Sequence, residues 1–536
     1  MHTALNKRVL ELLTSHGTLV SPDTVKYILT KADPEKYLKD IMQHFHELPL
    51  FLTVDLLKSA EMKAQTTQAE PSSENTPAAG KITSAKIPES SEQPEQPEQS
   101  EPLEQQPPKP ISEIFAKNSS ISKKTRSAID YESNVKIIKD VTGESTSEGN
   151  LDDFVKYFTN RFETLRKILT SSRREAIGTD EIARIRNQQG PIKFIGLVTE
   201  VKQTKNGHKL IELEDESDSI SVLINNSSPL INTNFVNDEV ICVIGKMGKS
   251  DLVYVEDIIR PEVPLRKNPK RSLDPVNCLF ISDIHIGSNT FLSDAWNKFV
   301  KWLNGEYTNN GNEDILDKLK YIVVAGDIVD GIGIYPGQVA ELEIADIYAQ
   351  YEELAQRFQD IPEHIKLIIQ PGNHDAVRPA EPQPTFPKEI TQLFNNDVQF
   401  VGNPCYFSLN GVEILSYHGR SMDDFVMQIP SVSYNQPLKI MKEMLIRRHL
   451  APIYGQKTPI APEHQDYLLI DRLPDIFVTG HIHKTAVENF RDISLINASA
   501  WQSQTKYQKM MNFNPDPGNV ISANLQTGKL KIINFT

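Results

Sequence analysis

The sequence predicts a multi-domain α+β protein, and three observations carry that prediction. Five short strand-like runs crowd into residues 192–260. Downstream, one apolar run after another ends in Asp, Asn or His. Upstream, helical periodicity gives way to a long polar stretch of low complexity. At 536 residues the chain has length for several domains and at least one large core. Its net charge of −14 gives no overall basic footprint for nucleic acid, although an acidic total is compatible with a local basic groove. The three cysteines, Cys242, Cys278 and Cys405, lie far apart, each in or beside an apolar run. They read as buried free thiols of a reducing compartment, with neither a disulfide framework nor a zinc-knuckle spacing. No secretory signal opens the chain, and no run approaches the ~18 apolar residues a membrane helix needs. The expectation is a cytoplasmic protein with no membrane partner.

Residues 1–58 read as a small helical module. Leu5, Val9, Leu12 and Leu13 recur at helical spacing; Val25, Ile28 and Leu29 form a second stripe, and Leu38, Ile41, Met42 and Phe45 a third. Ser21-Pro22-Asp23 supplies an N-cap with proline at the first helical position. Residues 59–149 are expected to be a disordered acidic linker. The run Glu92-Gln93-Pro94-Glu95-Gln96-Pro97 typifies a segment too poor in apolar surface to offset the entropy of ordering it. Two apolar islands, Ile111–Phe115 and Val135–Val141, are either short binding motifs or stray apolar residues in a linker. Residues 150–189 regain helical spacing through Phe154, Tyr157, Phe158, Phe162, Leu165 and Ile168. The basic residues that follow, Arg173, Arg174, Arg184 and Arg186, read as a solvated face in preference to a phosphate contact.

Residues 190–263 are dense in strand signals. Phe194–Val201 and Lys209–Leu213 flank Asn206-Gly207, a strong hairpin turn, and Ile220–Ile224, Val240–Ile244 and Leu252–Val255 follow. Five short strands in this span predict a small barrel of the OB type. It is poor in aromatics and carries Glu212, Glu214, Asp215, Glu216 and Asp218 together, which favours a structural or subunit-docking role over a nucleic-acid platform. Arg266, Lys267, Lys270 and Arg271 bridge to the last domain, 264–536.

That domain carries the chemistry. Cys278–Ile281 leads into Asp283-x-His285, and Tyr321–Ala325 into Gly326-Asp327. Ile365–Gln370 leads into Gly372-Asn373-His374-Asp375, Val412–Tyr417 into His418, and Asp475–Thr479 into Gly480-His481-x-His483. Short apolar runs of this kind read as buried strands, and layered α/β proteins place their sites at strand C-termini. Asp283-x-His285 alone is weak, since one His beside a buried strand is more often a core residue than a ligand. Three adjacent polar residues after Gly372, and two imidazoles after Gly480, have no packing reason to be there. A set of carboxylate, amide and imidazole ligands without a thiolate suits Mn²⁺, Fe²⁺ or Zn²⁺.

The ordered motifs D-x-H, G-D, G-N-H-D, H and G-H-x-H resemble the calcineurin-like metallophosphoesterase superfamily. The resemblance implies a β-sandwich flanked by helices that holds two divalent metal ions. Asp283, His285 and His483 would bind one and Asn373, His418 and His481 the other, with Asp327 bridging. Manganese is the metal expected in activity, with iron or zinc as alternatives. His374 would stand across the phosphorus as general acid, oriented by Asp375. Arg420 reads either as a phosphate contact or as half of a surface ion pair.

Protein phosphatases of the superfamily have G-D-x-V-D-R-G and G-N-H-E. Here Gly331 stands where their arginine does, and Asp375 replaces the glutamate, which argues against a phosphoprotein substrate. The layout, the tail Trp501-Gln502-x-Gln504-Thr505-x-Tyr507-Gln508-Lys509 and Tyr417-His418-Gly419-Arg420-Ser421 resemble the small-subunit family of archaeal family-D DNA polymerases. That resemblance implies a 3′–5′ proofreading exonuclease acting on single-stranded or mismatched 3′ DNA ends. It also implies a large catalytic subunit as partner and leaves the N-terminal module for a replisome partner. The rival reading is a catalytically silent scaffold, as in related eukaryotic polymerase accessory subunits that lack the metal ligands.

Overall fold

The computed structural model describes residues 19–20, 22–31, 33–42, 51–52, 57–58 and 60–61, and residues 126–536 apart from 187, 189, 249–250, 265–268, 310, 396 and 511. The stripe Leu5–Leu13, Phe45, the Glu-Gln-Pro repeat, the island Ile111–Phe115, Arg266 and Lys267 lie outside the described residues. The chain divides into two units, Met1–Pro108 and Lys109–Thr536. In the first, helices Pro22–Leu29 and Pro34–Met42 accompany two short parallel strands, β1 (Leu19–Val20) and β2 (Phe51–Leu52). Pro22 opens its helix as expected. Ile28, Leu38 and Ile41 bury against Leu57 and Ala60.

In the second unit the linker expectation fails over its last residues. Ser127–Asp130 forms a 3₁₀ turn tied to the Asp317 carboxylate through Ser127, and β3 (Val135–Lys139) is an edge strand paired antiparallel with Cys405–Leu409. The island Val135–Val141 is thus neither a binding motif nor noise. The sheet edge satisfies its backbone, and its apolar side chains pack on core formed far away in sequence.

Helix Leu151–Ser172 begins with a capping box between Asn150 and Asp153 and buries Tyr157, Phe162, Leu165 and Leu169. It also buries Arg161, whose guanidinium donates to Asp466 at 2.8 Å and to the Pro452 carbonyl at 2.6 Å. Arg173, Arg184 and Arg186 pair with acidic neighbours, as a solvated face would. Next come β4 (Pro191–Gln203), β5 (Lys209–Glu214), β6 (Ser219–Ile224), β7 (Val240–Met247) and β8 (Leu252–Ile259). They close as a barrel in the order β4-β5-β6-β8-β7. The turn after β4 uses Gly207 at φ +79°, as Asn206-Gly207 requires. Inside the barrel, Phe194, Ile211, Val222 and Val243 are buried. Its outer face packs Ile195, Leu197 and Cys242 on Phe162, Leu165 and Leu169 of the long helix.

The remaining strands are β9 (Asn277–Ile281), β10 (Leu319–Ala325), β11 (Lys366–Gln370), β12 (Val398–Phe400), β13 (Cys405–Leu409), β14 (Val412–Ser416), β15 (Ile476–Thr479), β16 (Ala486–Phe490), β17 (Ile493–Asn497), β18 (Asn519–Asn524) and β19 (Leu530–Asn534). They form two six-stranded sheets, β12-β11-β10-β9-β18-β19 and β16-β17-β15-β14-β13-β3. β9 to β12 run parallel, as do β14, β15 and β17. Strands buried on both faces read as continuous apolar runs, which is why these were legible in the sequence. The sheets share a core: Phe280, Val323 and Ile368 of one meet Phe407, Ile414 and Val478 of the other. The outer face of the first carries helices Ser293–Leu303 and Ile347–Phe358, and that of the second carries Met422–Gln428 and Pro437–Arg447. The three cysteines are free and buried. Among the described residues, no helix is long and apolar enough to cross a membrane.

Candidate metal centre

Every expected site residue except Arg420 follows a strand end, with three of those strands in one sheet and two in the other. β9 delivers Asp283 and His285, β10 delivers Asp327, and β11 delivers Asn373, His374 and Asp375. β14 delivers His418; β15 delivers His481 and His483. Five of these residues turn sharply: Asp283, His285, Asp327, His481 and His483 all have φ between +50° and +66°. Non-glycine residues rarely adopt that conformation, and each instance stores on the order of 1 kcal/mol of strain. These turns bring His285, Asp327, His481 and His483 to the wall of one cleft. Glycines at the motif positions let the loops close. A Cβ on Gly372 would strike the Asp327 carboxylate, and one on Gly480 would strike Ser282 and Asp283.

Three groups of ligand atoms result, and two of them carry expected ligands alone. Asp283, His285 and His483 form one and Asp327, His418 and His481 the other, with atoms in each within 4.8 Å of one another; the third is His285, Asp330 and His374. Asp283 Oδ1 is 3.2 Å from His483 Nε2, and His285 Nε2 is 3.1 Å from that same nitrogen. Asp327 Oδ2 lies 3.1 Å from His418 Nε2 and 4.0 Å from His285 Nε2, so it faces the first two groups.

These residues fit a cation. His418 Nδ1 lies 2.8 Å from the Ala325 carbonyl, which can only accept, so Nδ1 must donate. Its Nε2 faces the Asp327 carboxylate oxygen at 3.1 Å, a position that a proton or a metal cation can fill. Asp283 Oδ1 and Asn373 Oδ1 are buried without a hydrogen-bond partner. Burial opposes ionisation at Asp283 and Asp327. Even so, His483 and His285 beside the first, and His418 and His374 beside the second, hold both carboxyls below the ordinary range. Burial likewise opposes charge on His285 and His418, yet their carboxylate neighbours push them up to about 10 and about 9. An anionic pocket that draws protons this firmly will draw a divalent ion by the same field.

His374 stands apart from the first two groups. Its backbone N–H donates to Asp327 Oδ1 at 2.8 Å, and its Nδ1 lies 2.7 Å from the Asp330 carbonyl. The ring is therefore held with Nε2 available, 3.9 Å from Asp327 Oδ2. Burial lowers its pKa, against the opposing pull of Asp327 and Asp330. The expectation that Asp375 orients His374 is not met. Asp375 accepts from Gly372 N at 2.8 Å, Ile328 N at 3.3 Å and the Tyr351 hydroxyl at 3.2 Å. It ties the Gly372–Asp375 loop to the turn after β10, because a buried carboxylate takes the backbone donors nearest to it. Burial and Asp327 push it up to about 7.

The residue that fills the orienting role is Asp330. Its carbonyl holds His374, and its Oδ1 lies 3.0 Å from His285 Nδ1. Gln502 and Gln338 donate to its two oxygens at 3.0 and 3.1 Å. Carboxylates behind imidazole ligands fix ring orientation and tautomer in metal sites generally. Gln508 also reaches a ligand ring, its amide Nε2 lying 3.0 Å from His483 Nδ1, a donor group where Asp330 offers an acceptor. Sequence reasoning missed these roles, although Asp330 lies in the Gly326–Gly331 motif and two of the three glutamines, Gln502 and Gln508, in the 501–509 tail. Arg420 lines the cleft and donates to the Pro379 carbonyl at 2.9 Å.

Comparison with known proteins defines the class first. Residues 278–488 match the family of B subunits of DNA polymerases alpha and epsilon. The chain is 46% identical over 387 residues to the DNA polymerase II small subunit of Archaeoglobus fulgidus, covering 72% of this chain and 78% of that one. It is 43% identical over 405 residues to that of Methanothermobacter thermautotrophicus, covering 75% and 83%. The chain therefore belongs to the archaeal DNA polymerase II small-subunit family, the small subunits of family-D polymerases. Among solved structures, a novel archaeal phosphodiesterase aligns at 12% identity over 48% of this chain and 99% of its own, with a TM-score of 0.25. That score carries no weight for fold or chemistry.

Proposed function

We propose that this small subunit is a metal-dependent 3′–5′ exonuclease that removes nucleotides from single-stranded or mismatched 3′ DNA ends. We further propose that it works beside a large catalytic subunit carrying the polymerase site. The observation that carries the reading is Asp327, a buried carboxylate facing two groups of ligand atoms at once. In this reading residues 264–536 are a metallophosphoesterase-type sandwich and residues 190–263 an OB-type domain that braces it.

Asp283, His285 and His483 would hold one ion and Asn373, His418 and His481 the second, with Asp327 shared. When bound, two such ions neutralise phosphate oxygens and make water a competent nucleophile at neutral pH. The chain's own residues do the rest. Asp330 and Gln508 hold the rings of His285 and His483, which fixes the site's geometry. His374, positioned through Asp330, carries a proton on Nε2 to the leaving oxygen. Arg420 adds positive charge at the cleft wall. Manganese is the metal proposed for activity, with iron or zinc as alternatives that the same O/N ligand set accepts.

Purified full-length protein with Mn²⁺ on 3′- and 5′-labelled single strands tests this reading. Mononucleotides should leave the 3′ end and chelation should stop their release. No cleavage with any divalent metal, even after assembly with the large subunit, would favour the silent-scaffold reading. The filled ligand positions weigh against that outcome.

A further inference from the structure

The cleft over the metal centre holds aromatic rings that the hydrolytic chemistry does not use. It has a volume of about 320 Å³ and is lined by His285, Asp327, Asn373, His481 and His483 together with Tyr335, Tyr434, Tyr507 and Phe513. The rings come in two pairs. Tyr335 and Tyr507 stack with centroids 5.8 Å apart at 27°, and Tyr434 meets Phe513 edge-on at 6.4 Å. The second pair is anchored from behind, against the core beneath the second sheet. Tyr507 is not anchored this way and remains 51% exposed. Its short helix, Lys506–Met510, also carries Gln508, which meets His483. An exposed ring beside a reactive centre has no packing justification, and exposed apolar surface in a cleft usually marks a binding site.

Cations accompany the rings. Arg420 and Lys457 line the same cleft, and the Lys484 ammonium lies 5.9 Å from the Phe513 ring centre. Aromatic faces interleaved with cations are how proteins hold single-stranded nucleic acid, with bases on rings and phosphates on charges. Beside the barrel, Lys209 and Arg260 lie over Phe235, but that ring is buried and offers no face to a base.

We propose that Tyr335, Tyr507, Tyr434 and Phe513 form a stacking site for the unpaired bases at the 3′ end of a DNA strand, an inference that rests on the phosphodiesterase reading of the centre beside them. A paired terminus keeps its bases stacked in the duplex and cannot offer them to these rings. The site thus selects frayed or mismatched ends before any bond is broken.

The test is a single strand with 2-aminopurine as its 3′-terminal base, titrated with the full-length protein while metal is chelated. Wild type should quench the fluorescence. Tyr507→Ala and Tyr434→Ala should lose the quenching or bind about 5- to 100-fold more weakly, the range expected for one lost base–aromatic stack. Tyr507→Phe should behave as wild type, since the ring and not the hydroxyl does the stacking. In Mn²⁺ the Ala variants should raise KM for the same strand and leave kcat little changed. Unaltered quenching in both Ala variants, or equal loss in Tyr507→Phe, would overturn the stacking site. Wild-type quenching that the Ala variants lose, without cleavage in Mn²⁺, would retire the nuclease reading and leave the stacking site standing. Cleavage without wild-type quenching would do the reverse.

Discussion

The barrel and the metal cleft are built from the same material, short apolar strands, and they end those strands in opposite ways. The barrel's interior side chains, Phe194, Ile211, Val222 and Val243 among them, are buried in an apolar cluster. Its acidic loop residues stay at the surface, where Arg186 pairs with Asp218 and Asp251. The sheets instead end in Asp283, His285, Asp327, His418 and His483, all buried, and all but His418 in a left-handed backbone conformation. Burying several carboxylates in one place is unfavourable by several kcal/mol per ion unless positive charge answers them. The difference shows where stability has been given up for chemistry. The barrel is optimised for packing, and the cleft is held together by the packing around it.

Substitutions sharpen that contrast, and the largest effect belongs to Asp327. Asp327→Ala should strip metal from both groups and reduce hydrolysis to background, read by elemental analysis and by release of labelled 3′ nucleotides. Retention of full metal content would show that it does not bridge. His374→Ala comes next. Metal content should be unchanged while the rate falls about 10²- to 10⁴-fold, the usual contribution of a general acid. If the metal is lost as well, His374 is a ligand.

Asp330→Ala should be milder, lowering metal affinity by roughly 10- to 100-fold as the ring of His285 loses its support. A metal titration followed by activity would detect it, and wild-type affinity would remove Asp330 from the site. The smallest effect on chemistry belongs to the barrel. Ile211→Ala should lower unfolding free energy by about 2–5 kcal/mol in a denaturant titration, with kcat/KM unchanged in the folded protein. A barrel variant that lost activity without losing stability would erase the division of labour between the two regions.

Much of this was legible in the sequence. The strands β9, β10, β11, β14 and β15 were readable because strands buried on both faces are apolar throughout. The ligand residues were readable because polar residues at the ends of such strands have no packing role. β3 was not: Val135–Lys139 sits beside a polar, low-complexity stretch, and the partner that orders it lies at Cys405–Leu409. Arg161 was equally hidden. Its helix spacing is ordinary, and only the fold brings Asp466 and the Pro452 carbonyl to it.

Asp375 and Asp330 mark the boundary most clearly. The superfamily resemblance implied that Asp375 would serve His374, yet its carboxylate turns to Gly372, Ile328 and Tyr351, and the Asp330 carbonyl takes that place. What the amino-acid order determined by itself was local: the period of each element, the residue types at each strand end, and hence the ligand chemistry. What the tertiary structure decided was which of those side chains face one another. Hydrogen bonds and ligand geometry depend on distances of about 3 Å. Those distances are set by the pairing and packing of strands whose contacting residues lie from 44 to 198 positions apart, and no local pattern encodes them.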